Sequence, residues 1–262
     1  FFAMYANVDG FTGEEPQVPV AERHELDRWI LSVLNTLVKN VTEAFDSYEP
    51  TNAARAISDF VQSDLSNWYV RLNRKRFWGG NFDTDKIAAY QTLYTCLDTV
   101  ARLMAPIAPF FADRLFRDLN ETPESVHLAD FPVYNEADVD EELEHRMDVA
   151  QRLTSLVLSL RKKANIKVRQ PLAKMLVPAV DDHAAAIIEA VAEIVKTEVN
   201  VKELQVVAPD NEVFVKRVDP DFKKLGPKFG KLMKQAAAMI KAFSADQIRT
   251  LEREGAIDLD ID

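Results

Sequence analysis

Between Leu26 and Phe45 the chain repeats a pattern that few folds can absorb. Leu26, Trp29, Ile30, Val33, Leu34, Leu37, Val38, Val41 and Phe45 keep the i, i+3, i+4 spacing of a helix with one apolar stripe. The stripe persists for roughly five turns at about 3.6 residues each. Such a face has to be covered by other elements, and the spacing recurs downstream. Pro50 is expected to end the first helix, with Thr51 or Asn52 capping the next. Ala53, Ile57, Phe60, Val61, Leu65, Trp68 and Leu72 predict the second stripe, which Gly79-Gly80 stops. Asp83 caps a third helix to about Leu103, with Ile87, Tyr90, Leu93, Tyr94, Leu97 and Val100 inward. Pro106 and Pro109 restart the chain into a shorter helix through Phe110, Phe111, Leu115, Phe116 and Leu119. Pro123 to Tyr134 reads as an extended crossover. A fifth helix from about Asp138 carries Leu143, Met147, Ala150, Leu153, Val157 and Leu160. The expected architecture is mainly α, an antiparallel helix bundle.

The ends of the chain read differently. Phe1 to Asn7 predicts the last turns of a helix, released at Gly10 into a loop with Gly13, Pro16 and Pro19. After Pro171, β-branched and alternating runs at 172–180, 199–207 and 213–218 predict strands, and Ile257, Leu259 and Ile261 a last short one. Helices are expected at 184–197, 228–243 and 245–253. The predicted division is a helical bundle over 1–170, with 1–20 as a connecting helix and loop, and a small α+β unit over 171–262. Only 7 glycines in 262 residues fits helices better than a turn-rich sandwich.

Charge and composition exclude several classes. Lys and Arg number 32 against 42 acids, a net charge of −10, which argues against a surface coated for non-specific nucleic-acid binding but not against a local basic patch. The single Cys96 excludes an internal disulfide and a Cys-rich zinc site, and fits a reducing cytoplasm. No apolar run approaches the ~20 residues that span a bilayer. The start lacks a basic n-region and a cleavage site, and it opens in mid-pattern, so the chain is expected to be a fragment of something larger.

No enzyme site is legible. There is no phosphate loop, no G-x-S-x-G elbow and no H-E-x-x-H helix. His24, His127, His145 and His183 lack ligand spacing, and the acids around His145 read as a solvated helix face. Asp181-Asp182 sits where a helix N-cap is expected.

The positive signals are three basic segments. Asn67 to Trp78 holds Arg71, Arg74, Lys75 and Arg76 with Trp68, Tyr69 and Trp78. At helical spacing Asn67, Arg71, Arg74, Lys75 and Trp78 share a face, while Trp68 and Leu72 continue the apolar stripe. The second segment is Arg161-Lys162-Lys163, then Lys167 and Arg169, with no acid between. The third is Lys216-Arg217 followed by Lys223, Lys224, Lys228, Lys231 and Lys234. Confining cations to a few places in an acidic chain aims a polyanion at those places. Trp78, Tyr69 and the arginines offer planes on which unpaired bases stack. The plainer reading is that Arg71, Arg74 and Arg76 pair with acids on neighbouring helices and that Trp68 is core.

The same residues resemble a known family. Asn67-Trp68-Tyr69-Val70-Arg71, closing with Arg76-Phe77-Trp78, is similar to the N-W-Y-[IV]-R…R-F-W signature in the anticodon-binding part of isoleucyl-tRNA synthetases. Met104 to Phe110 resembles that family's M-[AS]-P-[IF]-x-P-F turn. Val126-His127-Leu128 through Phe131-Pro132 resembles its crossover, and Arg161 through Leu172 its R-x-x-x-x-I-K-x-R-x-P-L segment. Glu198 to Lys202 and Pro220 to Gly226 extend the likeness, so it covers essentially the whole chain. The first two motifs also occur in valyl and leucyl enzymes. The later pieces tilt toward the isoleucine enzyme in a eukaryote-like form. The H-I-G-H and K-M-S-K-S motifs, the editing insertion and the zinc cysteines of many bacterial members are absent from this sequence.

The resemblance implies an anticodon-binding portion of isoleucine–tRNA ligase, unable to charge or edit alone. Its partners would be the anticodon stem-loop of isoleucine tRNA and the catalytic and editing domains of the same parent chain. No cofactor is expected in the fragment, and ATP and Mg in the parent. A cytoplasmic monomer with no membrane contact is expected. The candidate RNA-binding residues are Arg71, Arg74, Lys75, Arg76, Trp78, Arg161, Lys162, Lys163, Lys167 and Arg169, with Trp78 stacking or packing. The competing readings are the matching part of a valine or leucine enzyme, or a helical scaffold that never meets RNA.

Overall fold

A computed structural model describes residues 1–208 and 218–259. Among the described residues the chain is mainly helical with one small parallel sheet, and it divides into two compact units, Phe1–Ser155 and Leu156–Asp262.

In the first unit, α1 (Phe2–Asp9) ends on Gly10 at φ 75°, the left-handed geometry that suits a glycine. The long stripe forms α2 (Glu25–Asp46), which follows a 3₁₀ turn at Val20–Glu22. The His24 imidazole caps α2, accepting from the Leu26 N–H at 3.2 Å. Pro50 does not end that segment. It opens α3 (Pro50–Asp59) at the first helical position, where its missing N–H costs nothing and no side chain is needed as a cap.

The expected second helix is not uniform. After α3 the ladder widens to π-type i→i+5 bonding over Phe60–Val70, turns at Asn73 and resumes as the short α4 (Arg74–Trp78). Within the π segment Phe60, Leu65, Trp68 and Tyr69 are buried, and Val61 is only half-buried. Asp83 caps α5 (Thr84–Met104) through the Lys86 N–H, and α6 (Pro109–Asn120) follows the two prolines.

Trp29, Ile30, Leu34 and Val41 of α2, Ala53 and Ile57 of α3, and Ala89, Tyr90, Leu93 and Cys96 of α5 are all buried. A second cluster joins Ala101, Ala105, Ala112, Phe116 and Val126. The crossover is extended except for a 3₁₀ turn at Val126–Leu128. It is strapped to α2 by Phe131 on Phe45, by Lys39 over Tyr134 and by Asn35, which accepts from the Asn135 N–H at 3.1 Å and donates to its carbonyl. The last long helix, α7 (Glu141–Lys163), buries Leu143, Met147 and Ala150 as its spacing predicts. Its Leu160 is instead 61% exposed.

In the second unit β1 (Leu172–Pro178) and β2 (Val201–Val207) pair in parallel, with Leu172 opposite Val201 and Val177 opposite Val206. Parallel neighbours need a crossover, and α8 (Asp182–Ala190) and α9 (Ala192–Val199) supply it. The single helix expected here is broken at Val191 (φ −100°, ψ 3°). Asp181 caps α8 by accepting from the Ala184 N–H at 2.7 Å, the structural role its position suggested. Ile187, Ile188, Val195, Val199 and Val201 are buried. Then come α10 (Phe222–Phe229), α11 (Met233–Lys241) and α12 (Ala245–Glu254), the last opened by a Ser244–Gln247 capping box. The expected strand over 213–218 lies almost wholly outside the described residues. The last expected strand is not formed at residues 256–259, and Ile261 lies outside the described residues.

Candidate nucleic-acid interface

The first basic segment sorts its residues by depth. Trp68, Tyr69, Asn73 and Phe77 are buried, Arg71 and Arg76 are half-buried, and Asn67, Arg74, Lys75 and Trp78 are exposed. The outward set therefore matches the helical-wheel face well, although the helix that carries it is interrupted. Arg71 is not free of contacts within the fold.

Two expectations are corrected here. Tyr69 is 0% exposed and cannot stack on a base: its hydroxyl donates to Asp27 Oδ1 at 2.6 Å. Burial, with the Asp27 charge beside it, pushes the Tyr69 phenol well above its usual range. Arg76 is the ion-pair partner that the plainer reading foresaw. Its Nη1 and Nη2 hold the two oxygens of fully buried Asp27 at 2.9 and 2.8 Å, and its Nε and Nη2 hold Asp85 at 2.9 and 2.7 Å. Nη1 also reaches Asn73 Oδ1 at 3.0 Å. Burial works against the guanidinium charge, but the two carboxylates outweigh it and hold its pKa above the ordinary value. With all three nitrogens engaged, Arg76 ties α2, α4 and α5 together and has no donor left for a phosphate.

On the outer side, the Arg74 guanidinium lies 5.8 Å from the centre of the Trp78 ring. Lys75 is exposed beside it.

The second segment shows the same division of labour. Arg161 is 3% exposed, so its expected RNA contact is also corrected. α7 closes in a Schellman motif: Ile166 N–H bonds Arg161 O at 2.9 Å, Asn165 N–H bonds Lys162 O at 3.1 Å, and Asn165 takes the left-handed φ of 55°. The Arg161 side chain then donates from Nη2 to Lys167 O at 2.7 Å, Val168 O at 3.2 Å and Gln170 O. Asn200 Nδ2 donates to Val168 O at 2.9 Å from the other side. A loop with no ladder partner is thus held by its carbonyls. Lys162 and Lys163 in the last turn of α7, and Lys167 and Arg169 on the loop, all stay exposed.

Of the third segment, Lys223, Lys224, Lys228, Lys231 and Lys234 are exposed, and Lys216 and Arg217 lie outside the described residues.

Elsewhere in the first unit a cleft of about 550 Å³ is lined by residues that include Arg23, Leu31, Asn35, Thr95 and Val139. Arg23 there holds Val18 O, Thr92 Oγ1 and Gln91 Oε1, and Asn35 holds the strap. These two polar groups build the fold. Among the described residues no group of three His, Cys, Asp or Glu is placed to hold a metal ion, and no helix is long and apolar enough to cross a membrane. Burial raises the Cys96 thiol well above its usual range.

The first unit thus presents Arg74, Lys75 and Trp78 outward from a salt-bridged interior. The chain belongs to the family described as the anticodon-binding domain of tRNA ligase, which matches residues 27–177, from α2 to β1. Over its whole length the chain is 58% identical to the isoleucine–tRNA ligase of Bacteroides thetaiotaomicron and 55% identical to that of Porphyromonas gingivalis. It is 42% identical to the isoleucine–tRNA ligase of Thermus thermophilus over 89% of the chain. It spans 23% of the length of each of these relatives. The eukaryote-like form expected from the motifs is not supported, since these relatives are bacterial.

Proposed function

We propose that the chain is the part of an isoleucine–tRNA ligase that grips the anticodon stem and loop of isoleucine tRNA. The single observation that carries this is the outward set of Arg74, Lys75 and Trp78 in a member of the anticodon-binding family. Arg74, Lys75, Lys162, Lys163, Lys167 and Arg169 contact phosphates, and Arg71 borders them. Arg76 and Arg161 position the others. The functional organisation is an antiparallel helix bundle over 1–170 followed by an α+β unit over 171–262. Catalytic and editing domains of the same parent, in a cytoplasmic monomer using ATP and Mg, complete the aminoacylation of the tRNA with isoleucine.

The test is filter binding of isoleucine, valine and leucine tRNAs over a salt series. Each phosphate contact adds roughly 0.9 to the log–log salt slope on duplex and about 0.7 on single strands. Replacing Arg74 and Lys75 by Ala is expected to weaken binding and flatten the slope by about 1.5. Equal affinity for the three tRNAs would remove the isoleucine assignment. Salt-insensitive or absent binding would leave a protein scaffold as the better reading.

A further inference from the structure

The cleft of about 550 Å³ in the first unit contains one charged group that the fold does not use. Arg23 and Asn35 are spent on loop carbonyls, side chains and the strap, as described above. The two acids on its lining are also engaged. Asp138 accepts from Asn135 Nδ2 at 2.9 Å, and Asp140 caps α7 by accepting from the Leu143 N–H at 3.0 Å. Arg28, which lines the same cleft, has no such employment. It is half-buried, its Nε is shut off from water without a hydrogen-bond partner, and among the described residues no carboxylate pairs with its guanidinium. Native folds keep such orphaned groups few. A guanidinium offers donors only, so the missing partner has to be an acceptor, and it has to come from outside the chain.

The rest of the lining is of two kinds. Leu31, Leu34 and Val38 of α2, with Val20, Val133 and Val139 from the flanking loops, give apolar surface. Thr95 and Thr99, one turn apart on α5, add two hydroxyls on one helix face. Apolar walls with a few convergent polar groups, enclosing a volume of roughly 300–1,000 Å³, are the make-up of small-molecule sites. A single unpaired cation in such a cleft fixes a single anionic head. Asp138 and Asp140 repel a second negative charge, so a chain of phosphates is a poor occupant. The lining instead suits one acidic group on an apolar body.

We propose that this cleft binds a small organic acid, with its carboxylate on Arg28 and its apolar body along Leu31, Leu34 and Val38. The planar guanidinium matches the two oxygens of a carboxylate in a bidentate pair. The site uses none of the cations of α4 or of the segment that ends α7, so it stands independently of the tRNA reading. In the linear sequence Arg28 attracts no notice, because it is the only Lys or Arg between Arg23 and Lys39 and belongs to no basic run.

The experiment uses the full chain and three probes that share one body and differ in the head: phenylbutyrate, phenylbutanol and phenylbutylamine. Each is titrated by calorimetry, with NMR of the arginine Nε–H signals. Phenylbutyrate is expected to bind, to shift the Arg28 signal and to raise Tm as its concentration rises. A hydrogen-bonded pair with a charged partner is worth about ten- to a hundredfold in affinity. The alcohol and the amine should bind more weakly by that factor, and Arg28→Gln should weaken phenylbutyrate equally while leaving the tRNA salt slope unchanged. Thr95→Trp, at an exposed helix position, should fill the cleft and abolish binding with the helical circular dichroism retained. Undiminished binding of the acid in either variant overturns the site. Equal binding of the three probes, or no binding of the acid to the wild-type chain, does the same. A fall in tRNA affinity and salt slope in Arg28→Gln, with phenylbutyrate binding unaltered, would make RNA phosphate the partner of Arg28 and also overturn it.

Discussion

Asp27 has no exposed surface, yet it accepts from Tyr69 and from both terminal nitrogens of Arg76 while lying among apolar helices. A buried carboxylate is tolerable only because each oxygen is filled and the charge is matched. Asp27→Asn keeps the shape but puts an N–H₂ where a donor already points, and it leaves Arg76 without its buried counter-charge. A loss of about 3–5 kcal/mol in urea denaturation is expected, and a loss below ~1 kcal/mol would mean that Asp85 alone satisfies Arg76. Arg161 makes the complementary case, a cation spent on backbone carbonyls. Arg161→Ala frees the carbonyls of Lys167, Val168 and Gln170, and amide exchange over 166–170 should accelerate while the exchange of α2 stays unchanged. Both arginines look like RNA contacts in a linear reading because they sit in basic runs. Only their depth separates them from Arg74 and Lys167, and depth depends on what packs opposite.

At the scale of elements, the π segment brings Asp64 against α7, in a groove that Glu141, Glu144, His145 and Asp148 also line. Burial raises the Asp64 pKa; Gln151, donating at 3.0 Å, pulls it back, while Asp59, Glu144 and Asp148 push it further up. Below the ordinary carboxylate range of about 4 the group is protonated in both folded and unfolded chains and costs nothing. As pH rises through that range the unfolded chain ionises more readily, so the folded state is penalised. Asp64→Asn keeps the oxygen that Gln151 bonds and should raise Tm at pH 7, with the gain vanishing as pH falls below about 4. A gain that persists in acid would point to packing instead. The existence of the helices was legible from period alone, whereas the switch to i→i+5 bonding was not: the residues Phe60–Val70 carry no Pro or Gly to mark it.

For the whole molecule, a net charge of −10 coexists with exposed cations on α4, on the last turn of α7 and on the loop after it. That arrangement predicts tRNA binding that is steep in salt yet weak toward non-specific polyanions. Replacing Lys162, Lys163, Lys167 and Arg169 by Gln removes four cations from the last turn of α7 and the loop that follows it. The salt slope for tRNA should fall by about 3 if all four face phosphates, with thermal unfolding little changed because none of the four is buried. A slope that does not move would restrict the contacts to α4 and the first unit.

The sequence by itself determined where most helices of the first unit lie, the Asp83 and Asp181 caps, the positions of the two strands though not their pairing, and the family likeness. Each of these rests on spacing or on short-range hydrogen bonds, which neighbours along the chain can specify. Which cations face solvent was settled only by the tertiary structure. Arg76 and Arg161 turn inward because Asp27, Asp85 and a run of unpaired carbonyls, all remote or unpatterned in sequence, offer acceptors that water would otherwise have to fill. Trp78 stays out because Phe77 takes the buried place beside it.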